Sequence, residues 1–116
     1  MSKYGALNDE YEVLINEFIE QINETLYFNA HETLEKIWFP RRFEDDPEMK
    51  LIKGFINAAV SFELIKKGRP DSSERVWKNY EKYKVLLKTF ESPYMGRYEE
   101  LSVFLEKKRE QLVIKS

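Results

Sequence analysis

The stretch from Tyr27 to Phe39, which reads YFNAHETLEKIWF, contains the only histidine of the chain. Its apolar residues recur every three or four positions, which indicates an amphipathic α-helix. On a helical wheel, His31 and Glu35 fall within the wide apolar arc and are neighbours at positions i and i+4. We therefore expect both side chains to face the core, where a carboxylate needs a partner. The opposite arc, which we expect to face solvent, contains Asn29, Glu32, Thr33 and Lys36.

A first helix precedes this central helix. Asp9 and Glu12 form a capping box, and apolar residues at helical spacing follow as far as Asn23. The apolar pattern then changes phase, which indicates a short turn before the central helix opens at Leu26. We expect the two helices to pack as an antiparallel hairpin.

A third helix follows the central one after a loop. Asp46 is a typical N-cap and Pro47 a typical first residue, whereas Gly68 after Lys67 is a typical stop. Gly54 lies inside this helix, where glycine costs about 1 kcal/mol relative to alanine. We therefore expect Gly54 to permit the close approach of a neighbouring helix or loop.

Two more helices complete the chain. Asp71 and Glu74 form a second capping box, which predicts a fourth helix that continues to Phe90. Residues 92–96, which read SPYMG, interrupt it. A fifth helix follows, with inward-facing Tyr98, Leu101, Leu105 and Leu112 and outward-facing Glu106, Lys107, Arg109 and Glu110.

Composition restricts the class of protein. The chain has 116 residues, of which 42% are hydrophobic, and no segment alternates with period two. We predict an all-α fold, a single-domain helical bundle of about five helices over residues 1–116, with residues 1–7 as a flexible tail. A net charge of −2 and interrupted apolar stretches argue against nucleic-acid and membrane partners. Because there is no cysteine and no N-terminal apolar run, we expect a cytoplasmic protein.

Three polar residues are candidates for a functional site. Glu63 falls in the apolar stripe of the third helix, so we expect it to approach His31 and Glu35. One imidazole and two carboxylates could ligate a divalent metal ion and leave positions open for water or substrate. Without a metal, Glu35 could fix the tautomer of His31 while His31 acts as a catalytic base. Alternatively, the three residues form a buried structural cluster, or Glu63 is displaced to solvent.

Three more residues are candidates for contact with a substrate. Trp38 lies on the same face as His31, and Arg41 and Arg42 follow in the loop. Each of the three residues also has an ordinary structural interpretation. Trp38 would be a core anchor, and the two arginines would lie in a solvated loop.

These residues resemble a known family. His31, Glu35 and Trp38, spaced His-x3-Glu-x2-Trp, are similar to the motif of domain of unknown function three hundred and nine, an uncharacterised bacterial and archaeal family. The pattern of Leu51, Gly54, Ile56 and Ala59 resembles the glycine-containing helix of that family, and residues 67–70 and 93–96 resemble its later turns.

Members of that family are often labelled predicted metal-dependent hydrolases. The resemblance therefore implies a hydrolase of a small-molecule substrate, with His31, Glu35 and Glu63 as metal ligands. Many relatives have a histidine where this chain has Glu63, so the implied site is richer in oxygen. Such a site would favour manganese or iron over zinc.

The alternative hypothesis is a non-enzymatic interaction module. The chain contains seven tyrosines, eight phenylalanines and two tryptophans, which is many for one small core. We expect some of these rings to be exposed and to form a homodimer face. The candidates are Phe90, Tyr94, Tyr98 and Phe104.

Overall fold

The computed structural model describes residues 10–115, which form five α-helices and no strand. The helices are α1 (Glu10–Asn23), α2 (Tyr27–Trp38), α3 (Pro47–Lys66), α4 (Pro70–Lys84) and α5 (Met95–Lys115), and a 3-10 turn at Phe39–Arg41 extends α2. The predicted all-α bundle is therefore confirmed. The predicted cap at Asp9 and the tail at residues 1–7 lie outside the described residues. None of the described helices is long and apolar enough to cross a membrane.

Local signals explain most of the helix boundaries. The side chain of Asp46 accepts a hydrogen bond from the backbone N–H of Glu48 at 2.8 Å, and Pro47 is the first residue of α3. Gly68 ends α3 with a φ of 73°, in the left-handed region that glycine adopts at low cost. The turn between α1 and α2 contains Thr25 with a φ of 62°. The start of α3, the end of α3 and the turn between α1 and α2 all agree with the sequence prediction.

Helix α3, not α2, is the centre of the bundle. Eleven of its 20 residues are buried, and it packs against α2, α4 and α5. Helix α1 packs against α2. The α1–α2 hairpin is therefore an outer layer, which leaves the far side of α2 open to solvent.

Helix α4 differs from its prediction at both ends. It begins at Pro70 with Arg69 as N-cap, so the capping box predicted at Asp71 and Glu74 is wrong. Proline is favoured at the first helical position because its φ is already helical, and this places Asp71 inside the helix. The helix ends at Lys84 rather than Phe90.

A turn after α4 returns the chain to the core. Lys88 adopts a φ of 67°, and Leu87 and Phe90 on either side of it pack against the buried residues. The left-handed conformation of Lys88 prevents the helix from continuing, because non-glycine residues do not propagate an α-helix from that conformation.

The aromatic residues expected at a homodimer face are mostly in the core, so the expected exposure of these rings is wrong, while the homodimer itself stays a prediction. Tyr98 is fully buried and Tyr94 is 5% exposed. Phe90 and Phe104 are half-buried against the core. The ring of Tyr98 lies 6.1 Å from that of Phe55 and 6.4 Å from that of Phe90, between centroids. A core built from three helices around α3 is wide enough to take these rings.

Gly54 permits close contact between α3 and α4, as predicted. A Cβ atom at this position would lie 2.9 Å from the Cβ of Tyr83 and 3.7 Å from the carbonyl oxygen of Tyr80. The position of a Cβ atom is fixed by its backbone, so Tyr83 cannot move aside by a rotamer change. The two helices would have to separate.

We expect Gly54→Ala to lower the free energy of unfolding by about 1–3 kcal/mol, because overpacking outweighs the gain in helix propensity. Gly96→Ala is the matched control, since a Cβ there has no neighbour within 4 Å. It should leave stability unchanged or raise it by up to about 1 kcal/mol. Urea unfolding measures both. Equal stability of Gly54→Ala and the unsubstituted chain would contradict the close contact.

Candidate functional site

The buried face of α2 is rotated relative to its prediction. Thr33, expected in solvent, is 2% exposed, and its hydroxyl donates to Oε1 of Gln21 on α1 at 2.7 Å. The reason is that α2 packs against α1 as well as α3, so its buried face covers both neighbours. The buried residues are Tyr27, Ala30, Thr33, Leu34 and Ile37.

His31 and Glu35 therefore lie at the edge of this face rather than in the core. Their side chains are 19% and 39% exposed, and Nε2 of His31 is 3.5 Å from Oε1 of Glu35. Nδ1 of His31 lies 2.6 Å from the carbonyl oxygen of Phe28. A carbonyl can only accept, so Nδ1 carries the proton and Nε2 of the neutral ring has none to donate to Glu35. The two side chains form an ion pair only when the imidazole is charged.

Glu63 is half-buried on α3 and shares a pocket with His31. The pocket has a volume of about 250 Å³ and lies between α2 and α3. Its walls are mainly apolar side chains, among them Tyr27, Phe28 and Leu64. Glu35 is not among the residues that line it. The structure thus places His31 beside Glu35 and in one pocket with Glu63, but it does not place all three residues in that pocket.

The three predicted ligands do not form a ready metal site. Among residues 10–114, no group of three histidine or acidic side chains is close enough to hold a metal ion. His31 also uses Nδ1 for the carbonyl of Phe28, so only Nε2 could ligate. The roles of His31, Glu35 and Glu63 in metal binding or catalysis stay predictions.

Arg41 is part of a buried network, so its interpretation as a solvated loop residue is wrong. Its side chain is 11% exposed, and its guanidinium donates to the hydroxyl of Tyr11 at 2.8 Å and to Glu44 at 3.1 Å. It also pairs with Asp46. Burial alone would lower the pKa of Arg41, but the hydrogen bonds to Tyr11 and Glu44 hold it above its usual value. With its donors engaged, Arg41 fixes the loop after α2.

The other two predicted contact residues are at the surface or near it. The ring of Trp38 packs against the core and has the Nζ atom of Lys53 at 4.3 Å from its centroid. The guanidinium of Arg42 lies 3.6 Å from the ring centroid of Phe39 and 4.4 Å from that of Phe43. Trp38 agrees with its interpretation as a core anchor, whereas Arg42 covers two exposed rings.

The sequence analysis missed the most buried carboxylate, that of Glu48. It has no exposed surface and accepts hydrogen bonds from the hydroxyls of Ser92 at 2.8 Å and Tyr98 at 2.6 Å. The guanidinium of Arg41 is 3.9 Å away. Burial and the negative charge of Glu48 raise the pKa of Tyr98. An acid in the first turn of a helix has an ordinary role at the helix N-terminus, so no local signal marked Glu48 as buried.

A second polar network joins α4 to α5 and includes Glu106, which was predicted to face outward. The hydroxyl of Tyr80 donates to Glu106 at 2.6 Å, and Lys84 pairs with the same carboxylate at 2.5 Å. Although burial alone would raise the pKa of Glu106, these two partners lower it. Both partners lie more than 20 residues away in the sequence, so helical periodicity could not reveal them.

The far side of α2 and the first residue of the following 3-10 turn carry a row of side chains, which we call the α2 ridge: Phe28, His31, Glu35 and Phe39. The two phenylalanines at its ends are exposed, whereas His31 and Glu35 between them are partly buried. Phe28 and Phe39 are each 55% exposed. They are 11 residues apart, which is about three helical turns, so they lie on the same face. The rings of Phe28 and His31 meet edge to face at 4.9 Å.

The ridge borders an open groove of about 770 Å³ between α1 and α2, which we call the α1–α2 groove. Its walls include two ridge residues, Glu35 and Phe39. Glu17 and Glu32 add two more carboxylates, and Lys36 is the only basic side chain among the described residues that line it. The motif residues therefore stand beside an acidic depression on the outer layer of the bundle.

Comparison with known proteins identifies the family but no activity. The family model described as Domain of unknown function (DUF309) matches residues 15–76, more than half of the chain. The chain therefore belongs to this family, which confirms the family resemblance predicted from the sequence. No curated protein and no solved structure matches the chain.

We expect Glu48→Ala to lower the free energy of unfolding by at least about 2 kcal/mol, because it leaves buried donors without an acceptor. Glu35→Ala is the matched comparison and should cost less than about 1 kcal/mol, because its contact with His31 is partly solvated. Urea unfolding of both variants tests this difference. An equal loss in the two variants would instead support a buried His31–Glu35 pair.

Proposed function

We propose that this DUF309 member is an interaction module that binds an amphipathic helix through the α2 ridge. The observation that carries the proposal is the exposure of Phe28 and Phe39, each 55%, at the two ends of the His31–Glu35 pair. Single exposed apolar residues are common on monomers and need no explanation. Two phenylalanines in line on one helix, with the family motif between them, are a surface suited to contact with another helix.

The energetic gain from covering this surface is substantial. A phenylalanine side chain buries about 150 Å² or more when fully enclosed, and each Å² of apolar surface contributes about 25 cal/mol. The rings stand about 16 Å apart along the axis, at a rise of 1.5 Å per residue. A partner helix can therefore contact both with apolar residues separated by three turns.

The polar centre of the ridge would supply orientation. The 3.5 Å between His31 and Glu35 is longer than an ordinary hydrogen bond. Either group can therefore exchange this contact for one with a polar side chain of a partner at little cost. Most of the binding energy would come from the two aromatic rings, which a partner helix would cover, and the polar pair between them would fix its orientation.

A metal-dependent hydrolase is the second candidate function. It is favoured by the pocket that His31 shares with Glu63, beside Glu35. In this hypothesis the three residues hold manganese, iron or zinc, and His31 and Glu35 assist a reaction of a small-molecule substrate. The pocket volume of about 250 Å³ is below the roughly 300 Å³ of typical ligand sites.

For the interaction module we expect no stoichiometric uptake of manganese, iron or zinc at neutral pH. The reason is that a site with one imidazole and one carboxylate offers too few ligands for tight binding. Calorimetric titration and elemental analysis of the stripped protein measure uptake. One ion per chain, lost in His31→Ala, would favour the hydrolase instead.

The ridge itself is tested with a library of displayed amphipathic helices, selected against the full chain. We expect the selected helices to lose affinity about tenfold or more for Phe28→Ala and Phe39→Ala, because a few enclosed aromatic side chains supply most of the binding energy of an interface. Val85→Ala is the control, because Val85 is 72% exposed at the end of a different helix. Failure to select any helix, or equal binding to all variants, would contradict the proposed function.

A further inference from the structure

We infer that the helix bound by the α2 ridge is α5 of a second copy of this chain. This inference rests on the proposed function, because it names the occupant of the same ridge. Its basis is a match between the ridge and an exposed row of side chains on α5. The row, called the α5 stripe, consists of Val103, Lys107, Glu110 and Ile114.

The α5 stripe is a solvent-exposed face. Val103 is 68% exposed and Ile114 is 83% exposed. Lys107 and Glu110, the other two residues of the stripe, are also exposed. The opposite face of α5 contacts the core through Tyr98, Leu101 and Leu105. A stripe with apolar ends and a charged centre thus remains on the outside of the bundle.

The spacing of the two rows is the same. Phe28 and Phe39 are 11 residues apart on the ridge, and Val103 and Ile114 are 11 residues apart on α5. Both intervals correspond to about 16 Å along a helix axis. The apolar ends of one row can therefore contact the apolar ends of the other simultaneously.

Charge then selects the direction in which the helices pair. In an antiparallel arrangement, Val103 meets Phe39 and Lys107 is level with Glu35. Glu110 falls within one residue of His31. In a parallel arrangement, Glu110 would be level with Glu35 on the ridge itself, and like charges placed together repel. The antiparallel arrangement brings Glu110 level instead with Glu32, which lies beside the ridge in the α1–α2 groove. The antiparallel pairing brings opposite charges together between two apolar contacts.

The wider charge distribution supports this partner. Residues 10–38 contain seven glutamates and only Lys36 as a base, a net charge of −6, whereas residues 39–115 contain 17 basic and 13 acidic residues, a net charge of +4. Within the described residues, Glu17 and Glu32 beside the ridge form no ion pair. Lys107 and Lys108 on α5 form none there either. Helix α5 itself contains five basic and four acidic residues, a net charge of +1, so the acidic hairpin of one copy would attract it in another.

Two copies related by a two-fold axis would form this contact twice. Such an arrangement closes the dimer and leaves neither ridge uncovered. A single contact without the two-fold axis would instead continue into larger assemblies. We therefore expect a dimer whose formation weakens as salt screens the charges.

Charge reversal across the contact tests the inference, with dimerisation of the full chain measured by sedimentation velocity. We expect Glu35→Lys and Lys107→Glu each to weaken dimerisation about tenfold or more. The double variant should recover most of that loss, because the opposite charges are restored in trans. Glu81→Lys and Lys78→Glu are the matched controls on α4, and should leave dimerisation unchanged.

Three results would overturn the inference. A monomer at all concentrations, while selected helices still bind the ridge, would exclude the second copy but leave the proposed function standing. A dimer that resists both single reversals would use another surface. A double variant as weak as the single ones would exclude the pairing of Glu35 with Lys107. If the chain is monomeric and no helix binds the ridge, both proposals fail.

Discussion

The arrangement of the helices depends on the buried carboxylate of Glu48. A charged group without exposed surface is tolerated only if donors surround it, because an unpaired buried charge costs several kcal/mol. The donors come from Ser92 in the turn before α5, from Tyr98 in the first turn of α5 and from Arg41 after α2. One side chain at the first turn of α3 therefore fixes the loop after α2 and the beginning of α5. The loop after α2 adjoins Phe39 at one end of the ridge, and α5 carries the α5 stripe.

The packing of α2 against two neighbouring helices changes how the His31–Glu35 pair is interpreted. Because α1 and α3 both pack on α2, the buried face of α2 includes Thr33 and excludes His31 and Glu35. The motif then lies on an outer surface between two exposed phenylalanines. A histidine and a carboxylate four residues apart on a helix suggest catalysis or metal binding when they are enclosed. On a partly exposed ridge the same pair is suited to contact with a partner helix.

Local chemistry made much of the fold predictable. Asp46 and Gly68 define the ends of α3 by capping and by a left-handed φ, and Gly54 marks the contact with α4. The orientation of α2 could not be predicted, because apolar residues cover most of its circumference and several rotations bury a similar area. The burial of Glu48 was also hidden, because its partner Tyr98 lies 50 residues away. Long-range partners of polar groups leave no periodic signal.

The most direct test of the ridge and its partner is cross-linking, since the chain contains no cysteine of its own. A chain with Phe39→Cys is mixed with a chain with Val103→Cys under mild oxidation, and Val85→Cys, which is 72% exposed before substitution, serves as the control partner. Antiparallel docking predicts rapid formation of the covalent dimer between positions 39 and 103, because a disulfide requires Cα atoms within about 7 Å. Linkage to position 85 at the same rate would contradict the account.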